Sequence, residues 1–191
     1  MGDKIIGNSL IQVKDGPMDV IQSHSKALVA VNQILKESLS LDQAILKILQ
    51  TLCENIGWDV GAEWTLNPKT RQLHCLSLWR KPESGCPEFE RLTRQMTFET
   101  GVGLPGRVLS TGAPAWIKEV TKDTNFPRIV VANKEGLLCG FGFPVWRNSE
   151  VIGVLEFFSR TVWKPDPDLL KTMYSIGSQM GHFLQKDSRF Q

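Results

Sequence analysis

From Pro17 the apolar positions fall at helical spacing: Val20, His24, Ala27, Val31 and Ile34 step by four and three and share one stripe. A second helix is announced by Ser40-Leu-Asp-Gln43, a capping box in which serine oxygen and glutamine side chain satisfy exposed amides. Its stripe is Leu41, Ile45, Ile48, Leu52 and Ile56, and Gly57 ends it. The period then changes to two. Trp58, Val60, Ala62, Trp64 and Leu66 alternate with Asp59, Gly61, Glu63 and Thr65, which predicts a half-buried strand. Asn67-Pro-Lys-Thr70 supplies a turn, and Leu73 to Trp79 returns as the hairpin partner. After a loop around Pro82–Pro87, a short helical segment falls near Glu88–Gln95.

Glycine and proline punctuate the middle of the chain. Leu104-Pro105 opens a short helix that Gly112 closes, Ala115 to Val120 is a strand, and Phe126 to Glu135 is a second short helix stopped at Gly136. Leu138 to Trp146 and Val151 to Ser159 form another hairpin, turning at Arg147–Glu150. Asp166-Pro-Asp168 starts the last helix with a cap, a proline and an acidic first turn. Its stripe of Leu169, Met173, Ile176, Met180 and Phe183 is heptad-like. Sequential hairpins flanked by long terminal helices imply an α+β fold, with an antiparallel sheet covered on one face by those helices. Residues 1–16 show no sustained period and are expected to be a flexible lead. Residues 17–39 form a signalling or dimerisation helix, and 40–186 form the domain, including its closing helix 166–186.

Composition narrows the function classes. With 41% hydrophobic and 22% charged residues and a net charge of +2, the 191-residue chain can bury a core. No run of five like charges is present, which argues against a surface for nucleic acid or anionic lipid. No apolar stretch approaches the roughly 20 residues of a membrane span, and Met1–Gly16 lacks the pattern of a secretory signal. Cys53, Cys75, Cys86 and Cys139 include no C-x-x-C pair, so a reduced, cytoplasmic setting is expected rather than a disulfide scaffold or zinc site.

Gly101-Val-Gly-Leu-Pro-Gly106 fits G-x-G-x-x-G, but no buried strand precedes it and the helix that follows is short. It reads instead as a loop requiring positive φ and close backbone approach. His24, His74 and His182 lie on three elements without carboxylates at ligand spacing, so no metal site is expected, and no serine elbow or paired acid–base group stands out. Glu156 stands between Leu155 and Phe157 in an apolar strand. It either faces solvent, accepts a hydrogen bond from a neighbouring loop, or lines a pocket. Trp58, Trp64 and Trp116 with Phe126, Phe141 and Phe143 form either a filled core or an aromatic cavity.

From about Leu41 to Leu184 the chain resembles a GAF domain. The resemblance is carried, in order, by the Trp58–Leu66 strand, Gly101-Val-Gly-Leu-Pro-Gly-Arg-Val108, Ala113-Pro-Ala-Trp-Ile117 and Phe126-Pro-Arg128 with Ala132. Gly140-Phe-Gly-Phe-Pro-Val145 and Val151-Ile-Gly-Val-Leu-Glu-Phe-Phe-Ser159 complete it, and the version is similar to modules of bacterial sensor histidine kinases. The resemblance implies a PAS-related six-stranded antiparallel sheet, with terminal helices on one face and short helices and loops enclosing a pocket on the other. It places Trp64, Trp116, Phe126, Ile129, Ala132, Phe141 and Phe143, with Glu156, around that pocket. It also implies a homodimer, through Val20, Ala27, Val31, Ile34, Leu169, Met173, Ile176, Met180 and Phe183. No cysteine occurs in Asn125–Ala132, against a covalent bilin, and Asn133-Lys134 lacks a following Asp-Glu pair, against the usual cyclic-nucleotide site. The cofactor stays unidentified. The expected function is a non-catalytic sensory module that binds a small molecule and relays through its helices to an output domain. The competing readings are a ligand-free dimerisation module and an enzyme like free methionine-(R)-sulfoxide reductase.

Overall fold

The computed structural model describes residues 2–6, 9–14, 19–37 and 40–184, with side chains from position 23 onward, position 84 excepted. The expected helix start at Pro17, the side chain of Val20 and the domain end at 185–186 lie outside them. The first difference from the sequence reading is at the N-terminus. In place of a lead without structure, β1 (Gly2–Ile6) pairs antiparallel with β2 (Ser9–Lys14). Ile5, Ile6, Leu10, Ile11 and Val13 favour strands, and the sequence between the two is Gly7-Asn8, a pair typical of hairpins. The partner that extends this hairpin is distant in sequence and therefore invisible to local periodicity.

The helices α1 (Asp19–Lys36) and α2 (Leu41–Ile56) follow. The capping box forms as its residues require: Gln43 N donates to Ser40 Oγ at 3.4 Å and Ser40 N to Gln43 Oε1 at 3.3 Å. Next come β3 (Val60–Leu66) and β4 (Leu73–Arg80), joined by a turn in which Asn67 Oδ1 accepts from the amides of Lys69 and Thr70. Then follow α3 (Pro87–Gln95), β5 (Thr97–Phe98), α4 (Gly103–Thr111), β6 (Ala115–Ile117) and α5 (Ile129–Lys134). The chain closes with β7 (Cys139–Arg147), β8 (Glu150–Ser159), β9 (Val162–Trp163) and α6 (Pro167–Leu184). β9 is the parallel partner of β2. The main sheet has six strands in the order β5-β4-β3-β8-β7-β6, with every pair antiparallel. This is the expected α+β architecture.

Three local expectations shift. The strand expected over 115–120 stops at Ile117, and Val120–Lys122 is a 3-10 turn. The helix expected over 126–135 begins only at Ile129, because Pro127 disfavours helical backbone at Phe126. The third concerns β3, predicted half-buried but buried along all seven residues. It lies between β4 and β8, with a packed layer on each face, so alternation of polarity does not translate into alternation of exposure.

Those two layers organise the molecule. One cluster joins α1, α2 and α6 to Phe141, Phe143, Val145, Leu155 and Phe157. The other joins α3, α4 and the α5 region to Val60, Ala62, Trp64, Val154 and Phe158. On the first face α6 lies directly on β7. A Cβ added to Gly177 would come within 2.0 Å of Pro144 O, and one added to Gly181 within 1.5 Å of Trp146 O, so this i, i+4 glycine pair sets the helix–sheet distance. The two stripes read as dimer seams are spent inside the chain. Ala27, Val31, Ile34, Leu169, Met173, Ile176 and Met180 are buried in the first cluster and Phe183 packs partly against it. The period foretold an apolar face, but its partner is the chain's own sheet and helices.

Candidate functional site

The face opposite the long helices is covered by loops and short helices held by polar contacts. Gly101 and Gly103 have φ of 85° and 64°, and a Cβ on Gly106 would meet Glu99 O at 2.2 Å, so the glycine-rich stretch is a tight turn, as its composition requires. Asn125 clamps this turn, accepting from Gly103 N at 3.0 Å and donating through Nδ2 to Gly101 O at 2.8 Å. Arg107 grips Asp123 with both terminal nitrogens and donates to Asn125 O at 2.7 Å. Hydrogen bonds from Arg107 hold the Asp123 carboxyl below the usual aspartate range. The latch thus fixes the three residues that lead into Phe126-Pro127-Arg128.

Arg128 is fully buried. Its Nη1 donates to Glu156 Oε1 at 2.6 Å and to Thr93 Oγ1 at 3.2 Å, and its Nη2 donates to Glu156 Oε2 at 2.8 Å. Glu156 is equally buried, in mid-β8 opposite Ala62 of β3 and Gly142 of β7. Five rings surround the guanidinium. Its Cζ lies 5.5 Å from the centroid of Trp64, 4.9 Å from Phe89, 5.1 Å from Phe98, 5.2 Å from Phe126 and 5.1 Å from Phe158. Two donors in this layer, Arg128 Nε and Trp64 Nε1, are buried without a hydrogen-bond partner among the described residues.

The eight residues assigned to one pocket are divided by the sheet. Trp64, Phe126, Ala132 and, in part, Ile129 pack in the layer that contains the Arg128–Glu156 pair. Phe141 and Phe143 are buried beneath the long helices, and Trp116 packs against that cluster. The alternation along β7 accounts for the split: Phe141, Phe143 and Val145 point to one side, while Gly140, Gly142 and Pro144 pair opposite the inward residues of β8. On the helix side Phe141 and Phe143 stack with Phe157 at 5.1 and 6.0 Å. Of the three readings of Glu156, solvent exposure is excluded. It lies inside the layer and accepts from a loop-borne donor. Arg128, Thr93, Phe89, Phe98 and Phe158 escaped the sequence reading. A signal existed: one arginine in the apolar run Phe126–Ala132 and one glutamate in the apolar strand 151–158 are lone opposite charges that each need a partner.

Burial pushes Cys139 up to about 12, and its Sγ donates to Thr161 O at 3.1 Å. Burial, reinforced by the carboxylates of Glu156 and Glu63, pushes Cys75 up to about 12, and burial raises Cys53 well above the ordinary thiol value. Cys86 Sγ accepts from Arg160 Nη2 at 3.3 Å. Among the described residues no three His, Cys, Asp or Glu side chains are grouped to hold a metal ion, and no helix is long and apolar enough to cross a membrane.

A sequence profile of the GAF domain matches residues 38–185. Among solved structures the chain is similar to the GAF domain of A. aeolicus nlh2 in an inactive state, at 18% identity and TM-score 0.70, covering 87% of this chain and 98% of that one. It is similar to the GAF domain of a phosphoenolpyruvate-protein phosphotransferase from Coxiella burnetii, at 13% identity and TM-score 0.72, covering 85% and 93%. Free methionine-R-sulfoxide reductase from Neisseria meningitidis, in complex with its substrate, has 11% identity and TM-score 0.71, covering 92% and 95%. No curated protein sequence matches.

Proposed function

This chain belongs to the GAF domain family, and on that premise we propose that it is a regulatory module of a cytoplasmic signalling protein, of the histidine-kinase type, with no catalytic role of its own. The module receives a small molecule on the short-helix face and relays its presence through the helices on the other. The observation that carries this reading is the Arg128–Glu156 pair, a bidentate contact between a loop-borne residue and mid-sheet β8 inside an otherwise apolar layer. A contact of this kind has two arrangements, made and broken, and so offers the bistable element that ligand control needs. The path to the helices is short: β8 pairs with β7, and β7 carries α6 on its other face.

Buried thiols with raised pKa values support a non-enzymatic role over a sulfoxide reductase, because the thiolate is the nucleophile. A homodimer belongs to the same proposal. It would use outward positions such as Val29, which is 68% exposed, rather than the consumed seams. A thermal-shift panel of nucleotides, amino acids, tetrapyrroles and small ions tests the reading. A compound that raises the midpoint in a concentration-dependent way supports it. No shift from any class would favour the competing reading, a structural module that fills its own interior.

A further inference from the structure

We infer that the five-ring cage over Glu156 is a site for a small organic cation, a guanidinium or substituted ammonium, which the chain's own Arg128 fills in this structure. The inference rests on the reading that this face receives a small molecule, and it names the class. Trp64, Phe89, Phe98, Phe126 and Phe158 present their π-systems to one point within 5.5 Å, an arrangement that attracts cations and offers nothing to anions. Glu156 supplies the counter-charge from the sheet. A cation that replaces Arg128 meets the same carboxylate, whereas a neutral or anionic occupant would leave it buried and unpaired.

Arg128 also fills the cage imperfectly. Its Nε finds no acceptor, so the guanidinium tethered to the main chain leaves one buried donor unsatisfied. The residue follows the latched turn, two positions after Phe126, which is itself a buried ring of the cage. It directly precedes the six-residue α5, between exposed Pro127 and half-buried Ile129. Its removal breaks no strand pairing. A bound cation therefore competes with Arg128 and releases the start of α5, coupling occupancy to the position of the lid.

The test uses methylguanidinium and tetramethylammonium as probes, with methylurea and sodium chloride as controls, followed by calorimetry and Trp fluorescence. In Arg128→Ala the internal competitor is gone, and methylguanidinium is expected to bind at least about tenfold more tightly than to the unmodified chain. Arg128→Ala combined with Glu156→Gln abolishes that binding. In the unmodified chain the cation increases amide exchange over 126–134. Should Arg128→Ala not fold by itself, its refolding from urea is expected with methylguanidinium and not with methylurea. Equal binding of methylurea, equal affinity in the two chains, or refolding helped by neither probe would overturn the proposal. If cations fail while another compound binds this face, the cation assignment falls and the broader regulatory reading stands.

Discussion

The two faces of the six-stranded sheet are closed by different physics. Under α1, α2 and α6 the contact is one of shape: stacked Phe141, Phe143 and Phe157 lie against apolar helix stripes, and two glycines bring α6 onto the β7 backbone. Under α3, α4 and α5 the apolar layer also encloses charge: a buried ion pair inside an aromatic cage, beneath a turn tied down by Asn125, Asp123 and Arg107. Apolar burial has no alternative partner in water, so the first face has one arrangement. An arginine and a glutamate can each be solvated or re-paired, and on the proposal above the second exchanges its occupant. One sheet thereby carries a shape-packed layer on one face and a buried ion pair on the other.

Breaking the platform should have the largest effect. Gly181→Val must push α6 off Trp146 O, and a loss of more than about 5 kcal/mol, seen as failure to give a cooperative melt, is expected. Ile176→Asp places an unpaired charge in the same cluster and should cost about 4 kcal/mol by urea denaturation, whatever the oligomeric state. On the other face, Asp123→Asn weakens the latch without touching the cage. A loss of about 1–2 kcal/mol is expected for this partly exposed pair. The pH dependence has a definite sign. Because folding lowers the pKa of Asp123, its contribution is full above the unfolded value of about 3.9 and disappears as pH falls through the lowered folded value. Acid titration of Asp123→Asn should accordingly show a shallower loss of stability below pH about 4. Val130→Ser, on the outer surface of α5, should change stability by less than about 0.5 kcal/mol.

Local signals made most of the fold legible. The capping box at Ser40, the turn at Asn67, the cap at Asp166 and the changes of hydrophobic period all act within a few residues, and each element follows them. What stayed hidden depends on contacts across the chain. The β2–β9 pairing joins positions 13–14 to 162–163, and the burial of Glu63 and Thr65 follows from helices covering the far side of β3. The candidate site was half legible. Trp64, Phe126, Ala132 and Glu156 lie in one layer, whereas Phe141 and Phe143, expected beside them, lie on the other face, because aromatic type does not reveal the face on which a ring lands. The decisive residue, Arg128, lay within a quoted motif. Its meaning emerges only when its guanidinium is seen to reach Glu156.

A double-mutant cycle on the ion pair, followed by urea denaturation, tests most directly whether charge closes the second face. Arg128→Met and Glu156→Leu should each lose about 3–5 kcal/mol, because each strands a buried charge. The double variant should lose less than the sum of the two, giving a coupling of at least about 2 kcal/mol. Additive losses, with no recovery in the double variant, would contradict the account.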